Sequence, residues 1–117
     1  MAQYTNLVVE QGTSFARKLT VTNKDGSAFN LTGWSGAGDI KKTYSSLNPS
    51  ATFTVTIPTP TNGEVNISLS TKETATLAAG RYVYDVVIYP GINSPFDGVK
   101  RVMQGQVTVT PRVTTVI

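Results

Sequence analysis

The sequence contains neither cysteine nor histidine. The first absence rules out disulfides and thiolate metal sites. The second removes the commonest general base and the commonest metal ligand together. Charge is sparse: 15% of residues are charged and the net charge is only +3. No apolar stretch approaches the roughly 20 residues that a membrane-spanning helix needs. The opening residues, Met1-Ala2-Gln3-Tyr4-Thr5-Asn6, lack a basic stretch followed by an apolar one, so no signal peptide is expected. There is no G-x-S-x-G elbow and no histidine to activate a serine. The acids are Glu10, Asp25, Asp39, Glu64, Glu73, Asp85 and Asp97, and no two fall at a spacing that demands a paired site. Asp25, Asp39 and Asp97 could meet in space as calcium ligands, but Asp25 and Asp97-Gly98 read better as turn residues. These absences lead us to expect no catalysis, no metal, no cofactor and no small-molecule substrate.

What is present is alternation. At 117 residues the chain is one domain's worth, long enough to bury a core without staples. Period-2 patterning predicts seven strands, turns at intervals, and no long helix. The first strand is expected over Asn6 to Glu10. The second runs from Thr13 to Thr22, with Phe15, Leu19 and Val21 on one face and Arg17 interrupting it; Asn23 to Gly26 turns the chain. The third runs from Trp34 to Tyr44, with Trp34, Ile40 and Tyr44 in phase and Gly36 and Gly38 marking a bulge or close approach. Ser45 to Ser50 is a loop. The fourth strand carries Phe53, Val55 and Ile57 and stops at Pro58 and Pro60. Asn62-Gly63 turns it into the fifth, with Val65, Ile67 and Leu69. Ser70 to Leu77 is a short helical segment, since Ser70 and Glu73 fit a capping box. The sixth strand has Tyr82, Tyr84, Val86 and Ile88 on one face, while Val83, Val87 and Tyr89 keep the other partly apolar. Pro90 to Gly98 is a loop, and the last strand holds Val99, Met103, Val107 and Val109. The expected fold is all-β: an immunoglobulin-like sandwich of about seven strands over residues 1–117, with one short helical turn before the sixth strand.

Structural roles are expected for the large aromatics. Trp34 reads as a core or inter-sheet residue. Tyr82, in Leu77-Ala-Ala-Gly-Arg-Tyr82, fits a tyrosine corner, and Tyr84 is in phase with the core. Tyr4, Tyr44 and Tyr89 are the tyrosines left for the surface. Lys41-Lys42 with Tyr44, and Lys100-Arg101, could form a basic patch, but adjacent strand residues point to opposite faces and nucleic acid is not expected. Asn30-Leu31-Thr32 and Asn66-Ile67-Ser68 match the glycosylation sequon by chance, given no secretion signal. Past Pro111, the tail from Arg112 to Ile117 carries Val113, Val116 and Ile117 with no core position to fill. These three are candidate intersubunit contacts, supplied to a neighbour by strand addition; the alternative is that the tail continues the last strand.

The order of features resembles a family of small domains from tailed bacteriophages. The residues that carry it are Glu10 to Phe15, Leu31-Thr32-Gly33-Trp34, Ile40-Lys41-Lys42, Asn62 to Val65, Leu77 to Val86 and Gly105 to Pro111. The chain resembles virion structural proteins of large myoviruses, including those of cyanobacteria. More distantly it is similar to the N-terminal domain of siphophage upper baseplate proteins. The resemblance implies an assembly or accessory subunit of the tail, neck or baseplate. Its partners would be other virion proteins and copies of itself, its location the virion, with no membrane. Capsid decoration, or a cell-surface or carbohydrate-binding module, are the alternative expectations.

Overall fold

Alternation turns one side of each strand inward, and the two inward sides meet as the core of a sandwich. The computed structural model describes residues 3–90 and 99–113. The strands are β1 (Gln3–Tyr4), β2 (Leu7–Glu10), β3 (Phe15–Thr20), β4 (Trp34–Lys41), β5 (Ala51–Thr52), β6 (Thr54–Thr56), β7 (Glu64–Leu69), β8 (Gly80–Pro90) and β9 (Lys100–Thr110). A short helix, α1 (Thr71–Ala75), precedes β8. The large sheet runs β1-β9-β8-β4-β5, with β2 also on β9, and the small sheet runs β3-β7-β6. Both have the strand grouping of an immunoglobulin-like sandwich. Leu7, Val9, Leu31, Ile40, Ile67 and Val86 are among the fully buried residues between them.

The strand expected over Thr13 to Thr22 is the shorter Phe15–Thr20, and four further departures from expectation each have a local reason. The strand expected over Asn6 to Glu10 is two: Gln3–Tyr4 and Leu7–Glu10 both pair in parallel with β9. At the break between them, the Asn6 side chain takes over from the backbone, its Oδ1 accepting from the Gln106 N–H at 3.2 Å. The third strand stops at Lys41, short of Tyr44. Thr43 and Ser46 exchange backbone and hydroxyl hydrogen bonds there, which compete with the ladder. The expected fourth strand is two. Ala51–Thr52 pairs with β4, Thr54–Thr56 pairs with β7, and the buried Phe53 between them carries the chain from one sheet to the other. In the last strand the phase flips. Val86 faces Met103 but Val87 faces Arg101, so Val102 is an extra residue, a β-bulge. Val102 and Met103 are therefore both buried, and Val99 is exposed rather than in phase.

The turns follow their residues. Gly63 closes a 3-10 turn over Pro60–Asn62 at φ 70, where any Cβ would lie 2.4 Å from the Val21 carbonyl oxygen. At α1 both halves of the capping box form: Ser70 Oγ accepts from the Glu73 N–H at 3.2 Å, and Glu73 accepts from the Ser70 N–H at 2.8 Å. The helix is fastened from below by the buried Thr74, which donates to the Thr13 carbonyl at 2.7 Å and accepts from the Gly12 N–H at 3.1 Å.

Candidate interaction face

The aromatics expected to be structural occupy three different environments. Tyr82 is 5% exposed, and its hydroxyl donates to the Ala78 carbonyl at 2.7 Å, four residues upstream, so it ties the loop after α1 to β8. Lys42 caps the same ring, with Nζ 4.7 Å from its centre. Tyr84 is 3% exposed and stacks edge-on against Phe53 at 6.0 Å. Its strand partner is Gly105, and its hydroxyl donates to the Thr5 carbonyl. Burial pushes the Tyr84 phenol up to about 12, with Arg17 opposing the rise. Trp34 is only half-buried at the start of β4, edge-on to Phe29 at 5.3 Å.

The outward side of the large sheet is different in character. Register places Thr52, Asp39, Asp85, Gln104 and Tyr4 in one row across β5, β4, β8, β9 and β1. Asp39 and Asp85 are thus direct cross-strand partners, a like-charge arrangement that is unfavourable unless compensated. Compensation is visible. Arg101 Nε lies 3.3 Å from Asp85 Oδ2, and Thr52 Oγ1 donates to Asp39 Oδ1 at 3.1 Å. Lys41 borders the same shallow cleft, together with Tyr44, Val83 and Gln104. On the same face Val83, Val87 and Tyr89 are half-buried, while Tyr4, Val8 and Tyr44 are exposed. The three tyrosines left outside the core therefore all gather on or beside one sheet face.

This carboxylate pair was invisible in the sequence, because its members are separated by a loop, three further strands and a helix. Among the described residues no group of three or more carboxylates gathers, so the pair is not part of a larger acidic cluster. Asp25 sits elsewhere, in the turn after β3, where hydrogen bonds from the Ser27 hydroxyl and N–H hold its carboxyl below the usual value. Asp97 lies outside the described residues. The two basic pairs do not merge into a patch. Arg101 pairs with Asp85, Lys41 borders the same cleft, Lys42 turns to Tyr82, and Lys100 borders a separate groove. Of the tail, Val113 is fully exposed, and Val116 and Ile117 lie outside the described residues. The strand ends at Thr110, and the Arg112 N–H is held at 3.3 Å by Gln11 Oε1 rather than by a strand partner.

No family model matches the sequence, and no curated protein matches it significantly. Solved structures share its architecture. A chain from a study of T cell specificity and activation by the bacterial superantigen toxic shock syndrome toxin-1 superposes with a TM-score of 0.56 at 15% identity, covering 90% of this chain and 92% of that one. Tim-2 gives 0.48 at 10% identity, over 98% and 99% of the two chains. The Lin-41 filamin domain gives 0.45 at 11%, over 88% and 82%. At such identities the likeness concerns the fold alone.

Proposed function

We propose that this chain is a non-catalytic structural subunit of a tailed-phage virion, an accessory of the tail, neck or baseplate that docks through the outer face of its large sheet. The carrying observation is the convergence of Tyr4, Tyr44 and Tyr89 with Val83, Val87 and Arg101 on that face. Tyrosine and arginine over a partly apolar centre are the composition of protein-binding surfaces. The phage assignment is supported by the sequence resemblance. The Asp39, Lys41, Asp85 and Arg101 group is charge-balanced, which suits a protein neighbour better than a polyanion. Strand addition by the tail is a second contact in the same reading, with the exposed Val113 at its described end.

The test is antibody labelling of purified particles by electron microscopy, with a Val87→Arg variant alongside. The expected result is labelling at a fixed position on the tail apparatus, and failure of the variant to incorporate although it melts like the parent. Labelling over the head would make the protein a capsid decoration instead. Particles without label, or with the variant incorporated normally, would sink the proposal. A carbohydrate-binding reading has one observation in its favour, Tyr44 beside the polar side chains of Asp39, Asp85 and Gln104. That cleft holds about 310 Å³, at the lower limit for small-molecule sites.

A further inference from the structure

Strand β3 has a neighbour on one side only. It pairs with β7, and among the described residues no strand lies along its other edge. In an immunoglobulin sandwich the first strand can cover that position. Here the N-terminal strands β1 and β2 both lie on β9, in the other sheet. The orientation of the open groups follows from one hydrogen bond. The Val21 N–H donates to the Gly63 carbonyl at 2.8 Å, continuing the β3–β7 register. Antiparallel pairing alternates, so the backbone of Phe15, Arg17 and Leu19 turns to β7 and that of Ala16, Lys18 and Thr20 turns outward. Beyond Thr20 the edge runs into a groove between β3 and the start of β9. Leu19, Val21, Phe29 and Val102 line it, with Lys24 and Lys100 exposed beside them.

Charge narrows the choice of occupant. Arg17 and Lys18 are exposed on the edge strand. The one ion pair among the described residues is Asp85–Arg101, on the other sheet. Two copies pairing edge to edge about a two-fold axis would oppose these cations, which disfavours self-association. An acidic strand would meet the Lys18 ammonium directly, with Arg17, Lys24 and Lys100 adding positive potential around the edge. We propose that the open edge of β3 receives an extended, acidic segment of a partner protein by β-strand addition. Its backbone pairs with Ala16, Lys18 and Thr20, its apolar side chains lie on the Leu19 side and enter the groove, and its carboxylates lie on the opposite side with Lys18.

The experiment titrates the full chain with a short peptide alternating valine with glutamate, and with its counterpart carrying lysine in place of glutamate. The glutamate peptide should bind more tightly by on the order of tenfold. It should protect the Ala16, Lys18 and Thr20 amides from hydrogen exchange. The Arg17→Glu/Lys18→Glu variant changes two exposed side chains and should reverse the preference. Val87→Arg, on the outer face of the large sheet, should leave this binding unchanged, which separates the two surfaces. Absence of binding, equal binding of both peptides, or protection confined to other strands would each overturn the proposal.

Discussion

Tyr84 shows how one buried polar atom makes stability depend on pH. Its cross-strand partner is Gly105, and its hydroxyl donates to the Thr5 carbonyl. A buried phenol resists ionisation, so its folded-state pKa of about 12 exceeds the ordinary value of 10.0. Below pH 10 the phenol is neutral in both folded and unfolded chains, and its contribution is fully present. Between pH 10 and 12 the unfolded chain loses its proton first, so stability falls as pH rises. The loss is on the order of 2 kcal/mol. Denaturant unfolding followed from pH 8 to 12 should show this fall in the wild type. In Tyr84→Phe it should be weaker, after a loss of about 1 kcal/mol at neutral pH from the missing hydrogen bond. If both proteins decline alike above pH 10, Tyr84 is not its source.

At the scale of elements, the N-terminal strand depends on a residue a hundred positions away. The backbone at Thr5 bends toward Gly105, where a Cβ would stand 2.2 Å from the Thr5 oxygen and 2.8 Å from its carbonyl carbon. Both of those atoms are main chain, so no side chain can move aside. Gly105→Ala should therefore detach β1 and the start of β2 from β9, at about 2–3 kcal/mol. Hydrogen exchange would locate the damage, since the Thr5 amide, bonded to the Gln104 carbonyl at 2.8 Å, should lose its protection while the amides of β7 keep theirs. Unchanged protection at Thr5 would mean that the strand tolerates the methyl group. The same pairing places Tyr4 on the outer face, so detachment should also weaken docking there.

On the scale of the whole molecule, two packed sheets that share no disulfide are joined chiefly by burial. The core of Leu7, Val9, Leu31, Ile40, Ile67, Leu77, Val86 and Ile88 joins both sheets and the loop after α1. Phe15, Phe53 and Tyr84 stack between the sheets at 6.3 Å and 6.0 Å. Such a core needs no ion to form. The melting temperature should be the same with and without a strong chelator, and a drop of several degrees on chelation would contradict this reading.

Local pattern by itself determined the strands whose neighbours lie on both sides and whose inward residues alternate without interruption. Tyr82 to Ile88 and Val65 to Leu69 are of this kind, as is the Ser70–Glu73 cap, because period and capping are properties of adjacent residues. The immunoglobulin-like sandwich followed from their number and spacing. Pairing between distant segments was decided only in three dimensions. Nothing near Gln3 or Leu7 announces that they lie parallel to β9, since parallel register is fixed by the partner strand. The split at Phe53 and the bulge at Val102 likewise arise where the chain must change sheet or phase to stay buried. The candidate face was half legible: the apolar outer side of β8 was read in Val83, Val87 and Tyr89. The opposition of Asp39 to Asp85, and the gathering of Tyr4 and Tyr44 beside them, required the fold, because cross-strand neighbours are set by register and not by distance along the chain.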